Sequence, residues 1–288
     1  MNQKDKSTTN NPPLLIKPDA AACEACPMHN TGNLLKLGVN MDEWDFVVAL
    51  AGNPNTGKST VFNALTGMRQ HTGNWPGKTV ARAEGGFSYG GFRYKLIDLP
   101  GTYSLLSTSF DEEIARDFIL FGQPDVTVIV TDATQLERNL NLALQVLEIT
   151  DRAVICLNLM DEARRHGLQV DDRRLARDLG VPVAPTAARQ GEGLDGLLKA
   201  IHEVATGQAI CKPYRLKNQS PQIKGALAQL TKLIQESFPG LPNARWVALR
   251  LLDGDQRIAE AVRTSELAEL NRLSPVQPTA QPQLEVVV

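Results

Sequence analysis

The chain has 288 residues, of which 42% are hydrophobic, and this is enough apolar material for a sizeable core. The formal net charge of -2 and the lack of a long Lys/Arg run argue against a nucleic-acid partner. Apolar runs such as residues 126–130 fall far short of the roughly 20 residues that a membrane helix needs, and the N-terminus has no apolar signal-peptide core. The sequence therefore predicts a soluble cytoplasmic protein.

Composition divides the chain into four parts. Residues 1–45 are polar and punctuated by proline, which predicts a mostly disordered N-terminal arm with at most one short element near its leucines. Residues 46–210 alternate short apolar runs with helical stretches, and this alternation predicts an α/β domain with a mostly parallel sheet flanked by helices. Residues 211–273 show helical periodicity without strands and predict a small all-α domain, and residues 274–288 predict a disordered tail.

The four cysteines do not form the disulfide framework of a small secreted domain. Cys23 and Cys26 form a CxxC with His29 close behind, which can begin a metal or redox site. No second ligand pair follows at zinc-finger spacing, so two thiols in a mobile segment are the alternative, and the role of this group stays open. Cys156 lies in an apolar run and is predicted to be a buried hydrophobic residue.

A phosphate-binding loop follows the first apolar run. The run FVVALA leads into GNPNTGKS, which matches the Walker A pattern between a predicted strand and a predicted helix. Backbone N–H groups of such a loop point at phosphates, Lys58 reaches the β and γ oxygens, and the Ser59 hydroxyl can bind Mg²⁺. A Gly-rich turn that matches by accident is the alternative, and the flanking strand and helix argue against it. The predicted nucleotide contacts are Gly52, Asn53, Pro54, Asn55, Thr56, Gly57, Lys58, Ser59 and Thr60.

Two later segments are predicted to sense the γ-phosphate. The sequence DLPG follows the apolar run FRYKLI, and there the Asp98 carboxylate can hold Mg²⁺ while the Gly101 N–H can bond the γ-phosphate. Residues 69–82 are polar and rich in turn formers, which predicts a mobile loop. Thr79 in this loop is predicted to supply a second hydroxyl to Mg²⁺, and Thr72 is the competing choice.

Recognition of the base is predicted at the ends of the last two strands. Asn158 and Asp161 belong to an NLMD sequence after the run AVICLN, and a carboxylate there accepts hydrogen bonds from guanine N1–H and the 2-amino group, donors that adenine lacks. Leu159 stands where the usual NKxD motif has Lys, so we expect guanine selectivity with weaker stacking and faster exchange. The run VPVA at residues 181–184 predicts the next strand. The loop after it leaves open which residue presents an N–H to guanine O6: Thr186, Ala187 or Ala188.

Taken together, the segments GNPNTGKS, GNWPGKTV, DLPGTYSL and NLMD and the late helical part resemble the cytosolic G-protein region of the prokaryotic ferrous iron transport protein B (FeoB) family. The resemblance covers about residues 46–273. It implies a Ras-like P-loop GTPase domain followed by a helical domain, attached to a polytopic Fe²⁺ permease at the inner face of the cell membrane.

The resemblance also implies the cofactors GTP or GDP, Mg²⁺ and K⁺. Ser59, Thr79 and Asp98 would serve Mg²⁺, and Asn55 would help to hold a K⁺ ion that stands in for an arginine finger. Catalytic roles would then fall on Lys58, Asn55, Thr79 and Gly101. Thr102 stands where Ras-like enzymes carry the Gln that positions water, so no side chain is predicted for that role.

Two functions follow as expectations. The first is a GTP-hydrolysing switch coupled to Fe²⁺ uptake, whose partner is the Fe²⁺ permease domain, in cis in a longer chain or in trans, with a homo-oligomer as an open possibility. The second is a GTP-dependent platform with negligible turnover that assembles a membrane partner. A GTPase of ribosome or tRNA maturation is disfavoured because the composition offers no basic face.

Overall fold

The computed structural model describes residues 34–35, 37–67, 71–76, 80–106, 109–215, 221–239, 241, 243–264 and 267. Several predicted residues lie outside this part of the chain: Thr79, the group Cys23, Cys26 and His29, and the C-terminal tail. Among the described residues, none of the helices combines the length and apolar character that crossing a membrane requires.

Seven strands form one mixed sheet in the order β2-β3-β4-β1-β5-β6-β7. The strands are β1 (Phe46–Gly52), β2 (His71–Asn74), β3 (Ala81–Tyr89), β4 (Phe92–Asp98), β5 (Val126–Asp132), β6 (Ala153–Asn158) and β7 (Val183–Pro185). β1 pairs in parallel with β4 and β5, and β5, β6 and β7 continue the parallel ladder. β2 and β3 pair antiparallel at one edge. The carboxyl ends of the parallel strands therefore meet at one edge of the sheet, where ligands bind in such folds.

The helices of the sheet domain cover both faces of the sheet. They are α1 (Lys58–Thr66), α2 (Phe110–Asp117), α3 (Leu136–Ile149), α4 (Met160–Arg165), α5 (Asp172–Leu179) and α6 (Leu194–Ala205), with a π-helical turn at Phe118–Gly122. Strands β1, β5 and β6 are almost wholly apolar because both of their faces are buried. One apolar cluster includes α3, and a second includes α1 and α6.

Two sequence predictions differ from the structure in their bounds. The segment predicted as a mobile loop, residues 69–82, contains strand β2, which pairs with β3 although all four of its residues are exposed. The last strand runs over Val183–Pro185, whereas the run VPVA predicted it from Val181. Val181 is buried, but its apolar character serves packing rather than strand pairing.

Three helices follow the sheet domain: α7 (Pro221–Ser237), α8 (Ala244–Leu252) and α9 (Gln256–Arg263). Leu227 and Ile234 of α7 and Val247 of α8 are buried in the same apolar cluster as α3. Arg245 of α8 donates to Glu148 of α3 at 2.8 Å. The predicted all-α part is therefore packed on the sheet domain, while the exact domain boundaries stay predictions.

Candidate functional site

The P-loop at the end of β1 has the backbone shape of a phosphate cradle. Asn55 and Gly57 have positive φ angles of 68° and 79°, which turn the chain into the first turn of α1. The buried Thr56 hydroxyl donates to the Asn53 carbonyl at 2.9 Å and closes the loop on itself. A Cβ at Gly52 would lie 2.7 Å from the Val130 carbonyl oxygen, so only glycine fits between β1 and β5. The Thr56 hydrogen bond and the packing of Gly52 on β5 thus hold the backbone of the loop. The first turn of α1 has no acidic side chain that would repel an anion.

Lys58 at the start of α1 is paired with Asp98 at the end of β4. Its ammonium group donates to the Asp98 carboxylate and, at 2.7 Å, to the Leu99 carbonyl. Burial raises the pKa of Asp98 above its ordinary value, while the charge and hydrogen bond of Lys58 act to lower it. In this arrangement the predicted phosphate ligand and the predicted Mg²⁺ ligand neutralise each other.

The DLPG loop rests directly on the P-loop. A Cβ at Gly101 would lie 3.6 Å from Pro54, and the Thr102 N–H donates to the Gly52 carbonyl at 3.3 Å. Thr102 is buried. The Gly101 backbone is thus held beside the phosphate cradle, but the Thr102 side chain is turned away from solvent.

Asn158 at the end of β6 connects three loops. Its Nδ2 donates to the Thr56 carbonyl at 3.0 Å, and its Oδ1 accepts from the Ala188 N–H at 3.1 Å and the Thr186 hydroxyl at 3.3 Å. The side chain is 1% exposed. A Cβ at Gly57 would overlap Asn158 Nδ2, so the P-loop glycine is also needed for this contact. Asn158 therefore links the P-loop to the loop after β7.

Asp161 is held at the base end by neighbouring side chains. Its Oδ2 accepts from Gln190 Nε2 at 3.0 Å and from Arg165 at 3.4 Å. Leu159 just before it has a φ of +62°, a left-handed conformation that is uncommon for a leucine. This bend brings the chain from β6 into α4, so Asp161 lies in the first turn of that helix.

The loop after β7 has its candidate donors engaged within the protein. The Ala187 N–H donates to the Glu192 carbonyl at 3.0 Å, and the Ala188 N–H donates to Asn158. The Thr186 side chain is buried and lies 3.2 Å from the Cys156 sulfur. The Thr186 side chain thus packs against β6, beneath the loop. Which of the three positions donates to guanine O6 stays open.

A polar cavity of about 120 Å³ lies on the outer side of the P-loop. Asn53, Pro54 and Asn55 in its lining are predicted nucleotide contacts. The remaining lining residues are not predicted from the sequence: Tyr103, Asp132, Gln135, Arg138 and Asn139. The Arg138 guanidinium lies 4.7 Å from the centre of the Tyr103 ring. Asp132 could have been found from the sequence, because it ends the apolar run of β5 at the same edge of the sheet as Asp98 and Asn158.

The structure thus brings the P-loop, Asp98, Gly101, Asn158, Asp161 and the loop after β7 to one edge of the sheet. Ser59 and Thr60 are exposed at the start of α1.

The fold and this set of residues define a P-loop protein of the GTPase class. A family model of ferrous iron transport protein B matches residues 46–201, and one of the FeoB cytosolic helical domain matches residues 220–277. The chain belongs to the FeoB family, and the resemblance drawn from its motifs is confirmed.

Known members and solved structures agree with this assignment. The Fe(2+) transporter FeoB of Escherichia coli is 40% identical over 212 residues, which are 72% of this chain and 27% of the transporter. The chain therefore spans about a quarter of the length of that relative. The cytosolic domain of T. maritima FeoB in apo form is 37% identical, with a TM-score of 0.69, over 81% of this chain and 88% of that one. That of L. pneumophila FeoB is 36% identical, with the same TM-score, over 78% and 89%.

Proposed function

We propose that this chain is a guanine-nucleotide switch that binds and hydrolyses GTP and is coupled to Fe²⁺ uptake through a membrane permease domain. The observation that supports it best is the placement of Lys58, Asp98 and Asp161 around one edge of the sheet, with Asn158 joining the phosphate and base ends. T. maritima FeoB cytosolic domains in GDP and GMPPNP forms have the same fold. They support guanine nucleotides as the ligand.

Nucleotide binding requires the Lys58–Asp98 pair to exchange partners. Lys58 would turn to the β and γ oxygens, where its charge stabilises the negative charge that develops on the transferred phosphoryl group. Asp98 would then be a buried carboxylate that needs a new cationic partner, because an unpaired buried charge is strongly disfavoured. The donor set fits Mg²⁺: the Asp98 carboxylate and the exposed Ser59 hydroxyl are oxygen ligands, and Thr79 is the proposed third. Bound Mg²⁺ would neutralise charge on the β and γ oxygens.

A K⁺ site is proposed at Asn55. Asn55 is exposed, has a positive φ of 68° and lines the polar cavity beside the P-loop. An amide oxygen suits a monovalent cation, and a cation there would add positive charge beside the phosphates. Lys58, Asn55, Thr79 and Gly101 are the residues to which we assign direct roles in hydrolysis.

The helical part is the proposed reporter of nucleotide state. Glu113 of α2, the helix after the DLPG loop, faces Arg257 of α9 at 3.6 Å. Movement of the DLPG segment with the γ-phosphate would therefore reach α9 through α2. We propose that this movement is what a membrane permease domain senses at the inner face of the membrane.

A platform with negligible turnover is the second candidate, and Thr102 favours it. This residue occupies the position after DLPG where Ras-like enzymes carry the Gln that positions water, and its side chain is buried. If backbone groups do not position water, GTP would stabilise an assembly state without rapid hydrolysis.

Hydrolysis of GTP by the purified chain in KCl and in NaCl, with Asn55→Ala beside the wild type, separates the two candidates. The switch predicts turnover that K⁺ accelerates and that loses this acceleration in Asn55→Ala. Tight GTP binding with equally negligible turnover in both salts would support the platform instead. Asn141→Ala, an exposed asparagine on α3, is the matched control.

A further inference from the structure

Two side-chain links join helix α4 to the loop after β7 at the base end of the site. Arg164 donates to both carboxylate oxygens of Glu192, at 2.8 and 2.6 Å. Beside this fork, Gln190 Nε2 donates to Asp161 Oδ2 at 3.0 Å. Asp161 and Arg164 lie about one turn apart on α4, and Gln190 and Glu192 are near neighbours in the loop. The loop is therefore tied to α4 at the place where Gln190 meets Asp161.

The backbone of this loop is closed on itself. The Ala187 N–H donates to the Glu192 carbonyl at 3.0 Å, and the Glu192 N–H donates to the Ala187 carbonyl at 3.3 Å. A 3₁₀ turn at Ala188–Gln190 lies between them and ends at Gly191, which has a φ of +74°. Gln190 thus stands at the end of a closed turn, which limits where its side chain can reach.

The Asp161 carboxylate is engaged by the protein on one oxygen. Its Oδ2 accepts from Gln190 and Arg165, while among the described residues the structure gives no hydrogen bond to Oδ1. The Arg165 contact, at 3.4 Å, is long for a hydrogen bond and comes from a side chain that is 68% exposed. Gln190 is therefore the principal protein donor to this carboxylate.

Gln190 offers Asp161 the same chemistry as the base. Guanine presents its N1–H and its 2-amino group side by side, and the pair needs both oxygens of one carboxylate. The glutamine amide is a neutral NH₂ donor, as the 2-amino group is. It comes from the loop that faces the base in the proposed function, whereas Arg165 comes from the same helix as Asp161. One guanine donor can use Oδ1, but the second meets an oxygen that Gln190 already occupies.

We propose that Gln190 determines the affinity of the site for guanine by standing in for the base at Asp161. A guanine that pairs with both oxygens must displace Gln190, so the bond given up offsets part of the bond gained. When the nucleotide leaves, Gln190 returns to the carboxylate, which favours release. Because Asp161 is assigned to the base only in the proposed function, this inference rests on that function.

Gln190→Ala removes the competing donor. Guanine would then pair with both oxygens without displacing a protein amide, so GDP should bind about fivefold more tightly, as for one net hydrogen bond. A fluorescent GDP analogue should be released more slowly by a similar factor. Titration calorimetry measures the affinity, and stopped-flow fluorescence measures the release. A residue that only supported the loop would give the opposite result, because its removal would weaken binding.

Inosine diphosphate (IDP) shows whether the gain comes from the second donor. Its base keeps the N1–H of guanine but lacks the 2-amino group, so its single donor can use Oδ1 and leave Gln190 in place. IDP affinity should therefore stay within about twofold of the wild type in Gln190→Ala, as expected when no protein hydrogen bond is exchanged. The preference for GDP over IDP should rise about fivefold for the same reason as the GDP affinity.

Two further variants complete the test. Gln190→Met keeps the length of the side chain without the donor, so it should repeat the effect of Gln190→Ala with the turn still filled. Gln169→Ala removes an exposed glutamine from the loop between α4 and α5, and it should leave both affinities unchanged.

GDP affinity equal to or weaker than that of the wild type in both Gln190 variants would overturn this inference, while the GTP switch stands because the wild type still binds GDP. An equal gain for GDP and IDP would overturn it as well, since the second donor would then play no part. Failure of the wild type to bind any guanine nucleotide would overturn the proposed function and this inference together.

Discussion

The phosphate end and the base end of the proposed nucleotide site differ in how their side chains are held. At the phosphate end, the two principal charged groups, Lys58 and Asp98, bind each other. At the base end, Asn158 already makes the hydrogen bonds that hold the loops together. In the proposed function, binding therefore requires an exchange of ionic partners at the phosphate end, whereas the Asn158 hydrogen bonds at the base end can stay in place.

This difference assigns separate roles to the two ends. In the proposed function, the exchange at the phosphate end would depend on which anion and cation replace the internal pair, so this end would respond to the γ-phosphate and to Mg²⁺. Buried hydrogen bonds hold the loops of the base end, to which we assign selection of the base in the proposed function. In that proposal Asp161 would exchange its contacts with Gln190 and Arg165 for contacts with the base.

Lys58→Ala should have the largest effect on the phosphate end. It removes the cation that contacts the phosphates and leaves the Asp98 carboxylate buried without its partner, so GTP affinity should fall about 100-fold or more. Titration calorimetry with GDP and a non-hydrolysable GTP analogue measures this. Lys199→Ala, which removes an exposed lysine of α6, is the control. Affinity within twofold of the wild type would show that the phosphates bind elsewhere.

Asp161→Asn should reverse selectivity at the base end. An amide cannot accept both guanine donors but can donate to the 2-oxo group of xanthine, so GDP affinity should fall roughly 100-fold while XDP affinity rises. Competition with a fluorescent nucleotide compares the two bases. Asp178→Asn, an exposed carboxylate on α5, should leave both affinities unchanged. Loss of GDP affinity without any gain for XDP would contradict the assignment of Asp161 to the base.

Asn158→Ala should weaken the link between the two ends. It leaves the Thr56 carbonyl and the Ala188 N–H without their partner, which should cost about 1–3 kcal/mol of unfolding free energy. Thermal unfolding without nucleotide should show the loss as a lower Tm. Asn141→Ala serves as the control once more. A Tm equal to that of the wild type would mean that the loops do not depend on Asn158.

Arg257→Ala should have the smallest effect. The ion pair with Glu113 spans 3.6 Å near the surface, so its loss should change the unfolding free energy by less than about 1 kcal/mol. The change should instead appear as a weaker response of α9 hydrogen exchange to a GTP analogue compared with GDP. Arg174→Ala breaks an ion pair of the same length within α5 and should not alter that response. An unchanged response in Arg257→Ala would remove this route to the helical part.

The apolar runs in the sequence, and the motifs that follow them, predicted the fold and the edge of the sheet at which the motifs lie. The apolar runs of β1, β4, β5 and β6 have the composition of strands buried on both faces, and polar motifs at their ends must meet at one edge. The fold class is confirmed. Strand β2 was not predicted because its four exposed residues have no hydrophobic alternation, and only pairing with β3 makes them a strand.

Contacts between distant residues could not be predicted in the same way. The Lys58–Asp98 pair and the Arg82 contacts with Leu37 and Gly38 join residues about 40 or more positions apart, and neither leaves a periodic signal. The sequence predicts a disordered arm over residues 34–45 because this segment is short and polar on average. Leu34 and Val39 are isolated apolar residues whose burial depends on the core that they meet.

Titration of the purified chain with GTP and with ATP, in Mg²⁺ and without hydrolysis, tests the central claim most directly. We expect a GTP analogue to bind at least about 100-fold more tightly than the matching ATP analogue, because only guanine offers the two donors that we assign to Asp161. Equal affinity for the two analogues would contradict this claim, since it would show that the site does not distinguish guanine from adenine.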